Sequence, residues 1–160
     1  MKIYVDASCQ VTQCYKRRNE KLFPGTVVGF VNETKTIKNS VFIPREGIKK
    51  IIDSDIQIKN RECKVHCSLI FFCIEPFLKQ IKEMIICPDF PKAMLSRELF
   101  NLFPNLKNIK IIFGKDGSRR SPADNYVNHI HKHPKEANTI VNPKQILEKI
   151  GKGLHKGKIS

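Results

Sequence analysis

A chain of 160 residues with 41% hydrophobic residues, 28% charged residues, 8 Gly and 9 Pro is neither collagen-like, nor low-complexity, nor wholly disordered. Its length matches one domain that can bury a core without help from metal or disulfide. Lys and Arg number 29 against 15 acidic residues, a net charge of +14 shared as +6 in residues 1–80 and +8 in 81–160. The excess therefore belongs to the domain rather than to a basic tail, and predicts a polyanionic partner, nucleic acid foremost.

The first element in chain order is a buried strand, Lys2 to Asp6, β-branched and aromatic in content and closed by a carboxylate. Residues 10–24 are polar and read as a loop ending at Pro24-Gly25. Thr26 to Val31 predicts a second strand, and Asn32 to Lys35 turns it back into a third, Thr36 to Ile43. Three antiparallel strands in a meander follow. Pro44-Arg45-Glu46 opens a short helix to Ile52, which Asp53-Ser54-Asp55 breaks. From Arg61 to Phe72, Val65, Leu69 and Phe72 recur at helical spacing, and Pro76 ends or kinks that helix. Met84 to Cys87 is a short apolar strand of the kind buried on both faces, ending at Pro88-Asp89. Pro91 suits the first turn of a helix to about Phe103. Asn108 to Phe113 is a fifth strand. Ser121-Pro122-Ala123-Asp124 has an N-cap serine, a proline at the first helical position and an early acid, so a helix to His131 is expected. A last helix, Pro143 to Ile150, should stop at Gly151, leaving 152–160 as a basic, flexible tail on a single domain of residues 1–151.

The longest apolar run, Leu69 to Ile74, is far below the ~20 residues of a membrane span. Lys2 and Asp6 bracket too short a stretch for a signal peptide, so a cytoplasmic protein without a membrane partner is expected. Six cysteines then read as free thiols. There is no CxxC pair. Cys63, His66 and Cys67 could share a helical face as metal ligands, but buried thiols in an apolar helix are the commoner arrangement. His129, His131 and His133 resemble a metal tag, but a helix would place only 129 and 133 on one face and Pro134 ends the run, so an exposed basic helix end is expected.

The carboxyl ends of strands are where α/β sheets build their sites. Two strands end in an acid directly after an apolar run: Val5-Asp6 and Cys87-Pro88-Asp89. If the strands are neighbours, the carboxylates lie side by side against their own repulsion. They would then call for a hard cation, magnesium or manganese. Alternatively, each Asp caps its own turn.

These residues carry a family resemblance. Ile3-Tyr4-Val5-Asp6-Ala7-Ser8 resembles the opening strand of type I ribonuclease H, which ends in Asp-Gly-Ser. Pro24-Gly25 and Thr26 to Val31 resemble its second strand, and Asn60-Arg61-Glu62 its helix-borne Glu. Ile85-Ile86-Cys87-Pro88-Asp89 stands where the fourth strand delivers an Asp. Ile111 to Lys115 and then Ser121 to Asn125 are similar to the last strand, its loop and the helix presenting the final Asp. The resemblance spans residues 2–130 in the family's order of strand Asp, helix Glu, strand Asp, helix Asp. It departs from the pattern in Ala7 for Gly, in about twenty extra residues before Glu62, in a loop without His, and in the absence of Trp. The insertion makes Glu46 an alternative second carboxylate and Asp55 a weaker one.

The resemblance implies a ribonuclease H-like mixed five-stranded sheet: the antiparallel meander, then alternating helices and strands, with helices on both faces. It implies a metal-dependent endonuclease hydrolysing phosphodiesters, foremost the RNA strand of RNA–DNA hybrids, with two Mg2+ or Mn2+ ions about 4 Å apart. Asp6, Glu62, Asp89 and Asp124 would be the catalytic metal ligands, Asp6 bridging both ions. Lys115, Arg119 and Arg120 in the nearby loop are expected to bind nucleic acid. The alternative is a catalytically inactive ribonuclease H-like module that binds nucleic acid or bridges a larger complex.

Overall fold

The computed structural model describes residues 1–14, 16, 21–54, 57–114 and 120–159, with side chains as far as Gly151. Strands β1 (Lys2–Ser8), β2 (Gly25–Asn32) and β3 (Lys38–Pro44) form the antiparallel meander. The turn between β2 and β3 is fixed by Asn32, whose side-chain oxygen accepts the backbone N–H of Thr36 and Ile37 at 2.9 and 3.0 Å, with Lys35 in the left-handed region. On the other side of β1 lie β4 (Glu83–Ile86) and then β5 (Lys110–Phe113), both parallel to it.

A sixth strand, β6 (Thr139–Ile140), adds to β3 in parallel, giving the order β5-β4-β1-β2-β3-β6 instead of the expected five strands. Its residues are β-branched, but two are too few to announce a strand. They are held by Asn138, whose Oδ1 accepts the backbone N–H and hydroxyl of Ser40, each at 3.1 Å.

Side-chain alternation sorts the sheet into two faces. Ile3 and Val5, Val28 and Phe30, Val41 and Ile43, and Met84 and Ile86 enter one core. That core is completed by α1 (Val11–Cys14), α2 (Arg45–Ile52), α3 (Arg61–Ile74), α4 (Lys92–Leu102) and α6 (Pro143–Ile159). The helix α5 (Asp124–Lys132) covers the opposite face with Val127 and Ile130, against Val27 and Phe42. Helices thus lie on both faces, as expected.

Several boundaries differ from the sequence expectation. The predicted 10–24 loop contains α1, because Val11 and Cys14 are fully buried. The chain enters α5 through a turn, with Ser121 Oγ accepting the Ala123 N–H at 3.2 Å, so the helix begins at Asp124. The last helix runs through Gly151 to Ile159. One glycine costs a helix only about 1 kcal/mol and need not end it.

Candidate active site at the carboxyl edge of the sheet

Parallel pairing of β1 with β4 brings their carboxyl ends to one edge. Val5 stands opposite Ile86, and the Cys87 N–H still donates to the Val5 carbonyl at 3.0 Å. Asp6 and Asp89 therefore meet there. Asp6 is 7% exposed, with Oδ1 accepting the Ala7 N–H at 2.8 Å. Asp89 receives one long bond, from Gln10 Nε2 at 3.4 Å, and its buried Oδ2 has no hydrogen-bond partner. Burial first, and the charge of Asp6 second, push the Asp89 carboxyl up to about 6, against the lowering effect of Gln10. Gln10 is a site residue the sequence did not announce, since it lay in what read as a featureless loop.

Two helices bring the other predicted acids to this edge from opposite faces. Asn39 of β3 donates to the Cys73 carbonyl near the end of α3 at 2.8 Å. In the first half of α3, the His66 ring packs on Phe90, next to Asp89, at 5.3 Å between centroids. The start of α3 is thus at the carboxyl edge, where Glu62 occupies its first turn, one turn ahead of His66 on the same stripe. This helix start is fastened on two sides. Asn60 Nδ2 and Lys64 Nζ donate to the two oxygens of Glu98 on α4 at 3.0 and 2.5 Å. Against the upward pull of burial, those contacts hold the Glu98 carboxyl below its ordinary range. On the other side the Arg61 guanidinium caps the end of α2 through the carbonyls of Ile51, Ile52 and Ser54, where a cation suits the helix dipole.

On the far face Asp124 opens α5. One turn later, Asn128 Oδ1 accepts the hydroxyl of Ser8, two residues beyond Asp6, at 3.0 Å. Gly29, paired with Asp6 across β1 and β2, makes this approach possible: a Cβ there would sit 2.9 Å from Val127 Cγ1 of α5.

The structure thus sets Asp6 against Asp89 and brings Glu62 and Asp124 to the same edge in the first turns of two helices. The four do not close into a group with all donor oxygens within 4.8 Å; among the described residues, His129, His133 and Glu136 form the one such group of three ligand-type side chains. Glu46 opens α2 at the end of β3, exposed beside Arg45 and Lys49 and two strands from β1 on the side away from Asp89. Arg120 is exposed just before the turn into α5, whereas Lys115, Arg119 and Asp55 lie outside the described residues.

The six cysteines are free. Cys63, His66 and Cys67 are buried but do not gather as a ligand set. Cys63 and Cys67 share a hydrogen bond that lowers the first thiol and, with burial, raises the second. His66, with neither ring nitrogen hydrogen-bonded, is driven down to about 4 by burial. No helix among the described residues is long and apolar enough to cross a membrane. Comparison with protein-family models, curated proteins and solved structures returned no match.

Proposed function

We propose that this protein is a metal-dependent nuclease with a ribonuclease H-like fold, acting on the RNA strand of RNA–DNA hybrids. The observation that carries this reading is the Asp6–Asp89 pair: two carboxyl groups sunk into the end of adjacent parallel strands, one oxygen of Asp89 left without a donor. Such a pair costs the fold energy until a cation shares it. The meander followed by β4 and β5 on the free side of β1, and the delivery of Glu62 and Asp124 from opposite faces, support the same reading.

Asp6, Glu62, Asp89 and Asp124 would hold magnesium or manganese through oxygen donors alone, the chemistry these ions prefer. The bound ions would supply an acidified water and charge neutralisation at the leaving oxygen. The chain's own part is to hold the acids in place. Gly29 lets α5 reach β1, Asn128 and Ser8 tie α5 to the end of β1, and the Asn60–Glu98–Lys64 group fixes the start of α3. Gln10 steadies Asp89. The net charge of +14 would hold the phosphate backbone, so binding should weaken with salt at a log–log slope of about −0.9 per duplex phosphate neutralised.

The deciding measurement is cleavage of labelled hybrid, double-stranded RNA and single-stranded RNA with magnesium, manganese or chelator. Cleavage of the hybrid that is lost in chelator and in Asp6→Asn and Asp124→Asn supports the proposal. Equal cleavage by parent and both variants sinks it. Salt-sensitive binding by the parent without cleavage selects the inactive binding module instead. Glu62→Gln should cost several orders of magnitude in rate and Glu46→Gln little, because α3 begins beside the Asp89 loop and α2 begins two strands away.

A further inference from the structure

A second site lies at the other end of α5. His129 and His133, one turn apart, lie with their rings 4.8 Å apart between centroids and tilted by 42°. After the helix stops at Lys132, a short turn over Pro134–Glu136 folds back, its Glu136 N–H donating to the His133 carbonyl at 2.9 Å. The turn carries Glu136 Oε2 to 3.2 Å from His129 Nε2 and 3.9 Å from His133 Nδ1. Three ligand atoms of different residues therefore lie within 4.8 Å of one another. His131, between them in sequence, points elsewhere: its Nε2 meets the Leu22 carbonyl at 2.9 Å.

From these atoms we propose that His129, His133 and Glu136 form a binding site for a borderline transition-metal ion, zinc in particular. Zinc bonds of ~2.0–2.1 Å in a tetrahedron put neighbouring ligand atoms about 3.3 Å apart, and the separations of Glu136 from the two rings straddle that value. Two imidazoles and one carboxylate suit zinc, nickel or copper and are a poor set for magnesium, which seeks oxygen. Three protein ligands also leave a coordination position open, the arrangement of zinc sites that take up a water or an exogenous ligand. His129 and Glu136 border an open cleft of about 650 Å³ whose other walls include Lys38, Asn125, Tyr126 and Asn138, so a ligand has space to reach the ion. The site does not depend on the nuclease proposal. It uses the far end of α5 from Asp124 and none of the carboxyl-edge acids.

The test is calorimetric titration of the full chain with zinc in excess magnesium, which occupies oxygen sites and spares imidazoles. The cobalt form is then examined by visible absorption to separate histidine and carboxylate ligation from thiolate ligation by the free cysteines. The parent should bind zinc at this site without thiolate charge-transfer bands in the cobalt form. His133→Asn and Glu136→Gln each remove a direct ligand and should weaken binding at least as much as loss of a supporting contact does, roughly a hundredfold. All three side chains are more than half exposed, so the metal-free variants should melt like the parent. Unchanged zinc affinity in both variants, thiolate bands in the parent, or no zinc binding at all overturns the assignment.

Discussion

On one face of the sheet Ile3, Val5, Phe30, Val41 and Ile43 disappear beneath α3 and its neighbouring helices; on the other, α5 rests on a smaller cluster of Val27, Phe42, Val127 and Ile130. The second face is correspondingly polar. Asp6 and Ser8 of β1, Ser40 of β3, and Tyr126 and Asn138 lie along it, the Tyr126 hydroxyl donating to Ser40 Oγ at 3.0 Å. One face stabilises the fold by apolar burial. That leaves the other free to carry groups whose burial costs energy, and both candidate sites draw on α5.

The largest effect should come from cutting into the first face. Phe30→Ala, at a fully buried ring packed edge-on against Phe77, should cost about 3–5 kcal/mol in denaturant unfolding. Val127→Ala on the second face should cost about 1.5 kcal/mol. Equal losses would break the comparison.

Titration adds a second contrast, because His66 in the first-face core and Asp89 at the carboxyl edge respond to pH with opposite sign. His66, held at about 4, stays neutral in the fold where the unfolded chain binds a proton. Its contribution is full above pH 6.5 and is lost as pH falls from 6.5 to about 4, by up to about 3 kcal/mol. Asp89, raised to about 6, keeps its proton in the fold where the unfolded chain has released it. Stability is therefore lost as pH rises from about 4 to about 6, by a similar amount at most. The two nearly offset in the parent. His66→Leu should leave a chain that weakens as pH rises through this window, and Asp89→Asn one that weakens as pH falls. Parallel curves for the two variants would show that neither group titrates as its surroundings dictate.

A smaller effect tests the close approach of α5. Gly29→Ala places a methyl 2.9 Å from Val127 Cγ1 and 3.3 Å from the Asn39 carbonyl, and should cost about 1–3 kcal/mol. In a Val127→Ala background most of that cost should vanish, a coupling that a double-mutant cycle reads directly. Additive losses would mean that the Asn39 carbonyl or the Tyr126 ring, each 3.3 Å away, and not Val127 sets the limit at Gly29.

Much of this was legible in the chain. The strands expected from Lys2, Thr26, Thr36, Met84 and Asn108 follow from local apolar patterns, as do the helices at Arg45, Arg61 and Lys92, and all are present, the third and fifth strands starting two residues later at Lys38 and Lys110. The side-by-side position of Asp6 and Asp89 rested on one condition, that β1 and β4 be neighbours, and they are. What escaped depends on partners distant in sequence. β6 exists because Asn138 finds Ser40, and Lys64 is buried because Glu98 on another helix receives it. Glu136 joins two histidines only after a turn whose direction no periodicity encodes. Gln10 was hidden because polar residues beside a short buried helix look like any loop.

The β1–β4 pairing also bears on the order of folding. The hairpins of the meander join residues close in sequence, whereas β1 meets β4 by pairing Lys2 with Glu83. Loop closure makes such a non-local junction costly to form early. A seam of this kind is expected to close after the rate-limiting barrier, so the crowding of Asp6 against Asp89 should arise only then. Relieving it with Asp89→Asn at neutral pH should slow unfolding and leave the folding rate nearly unchanged, the signature of a contact made late. A folding arm that quickens instead would place the seam, and with it the acid pair, inside the nucleus.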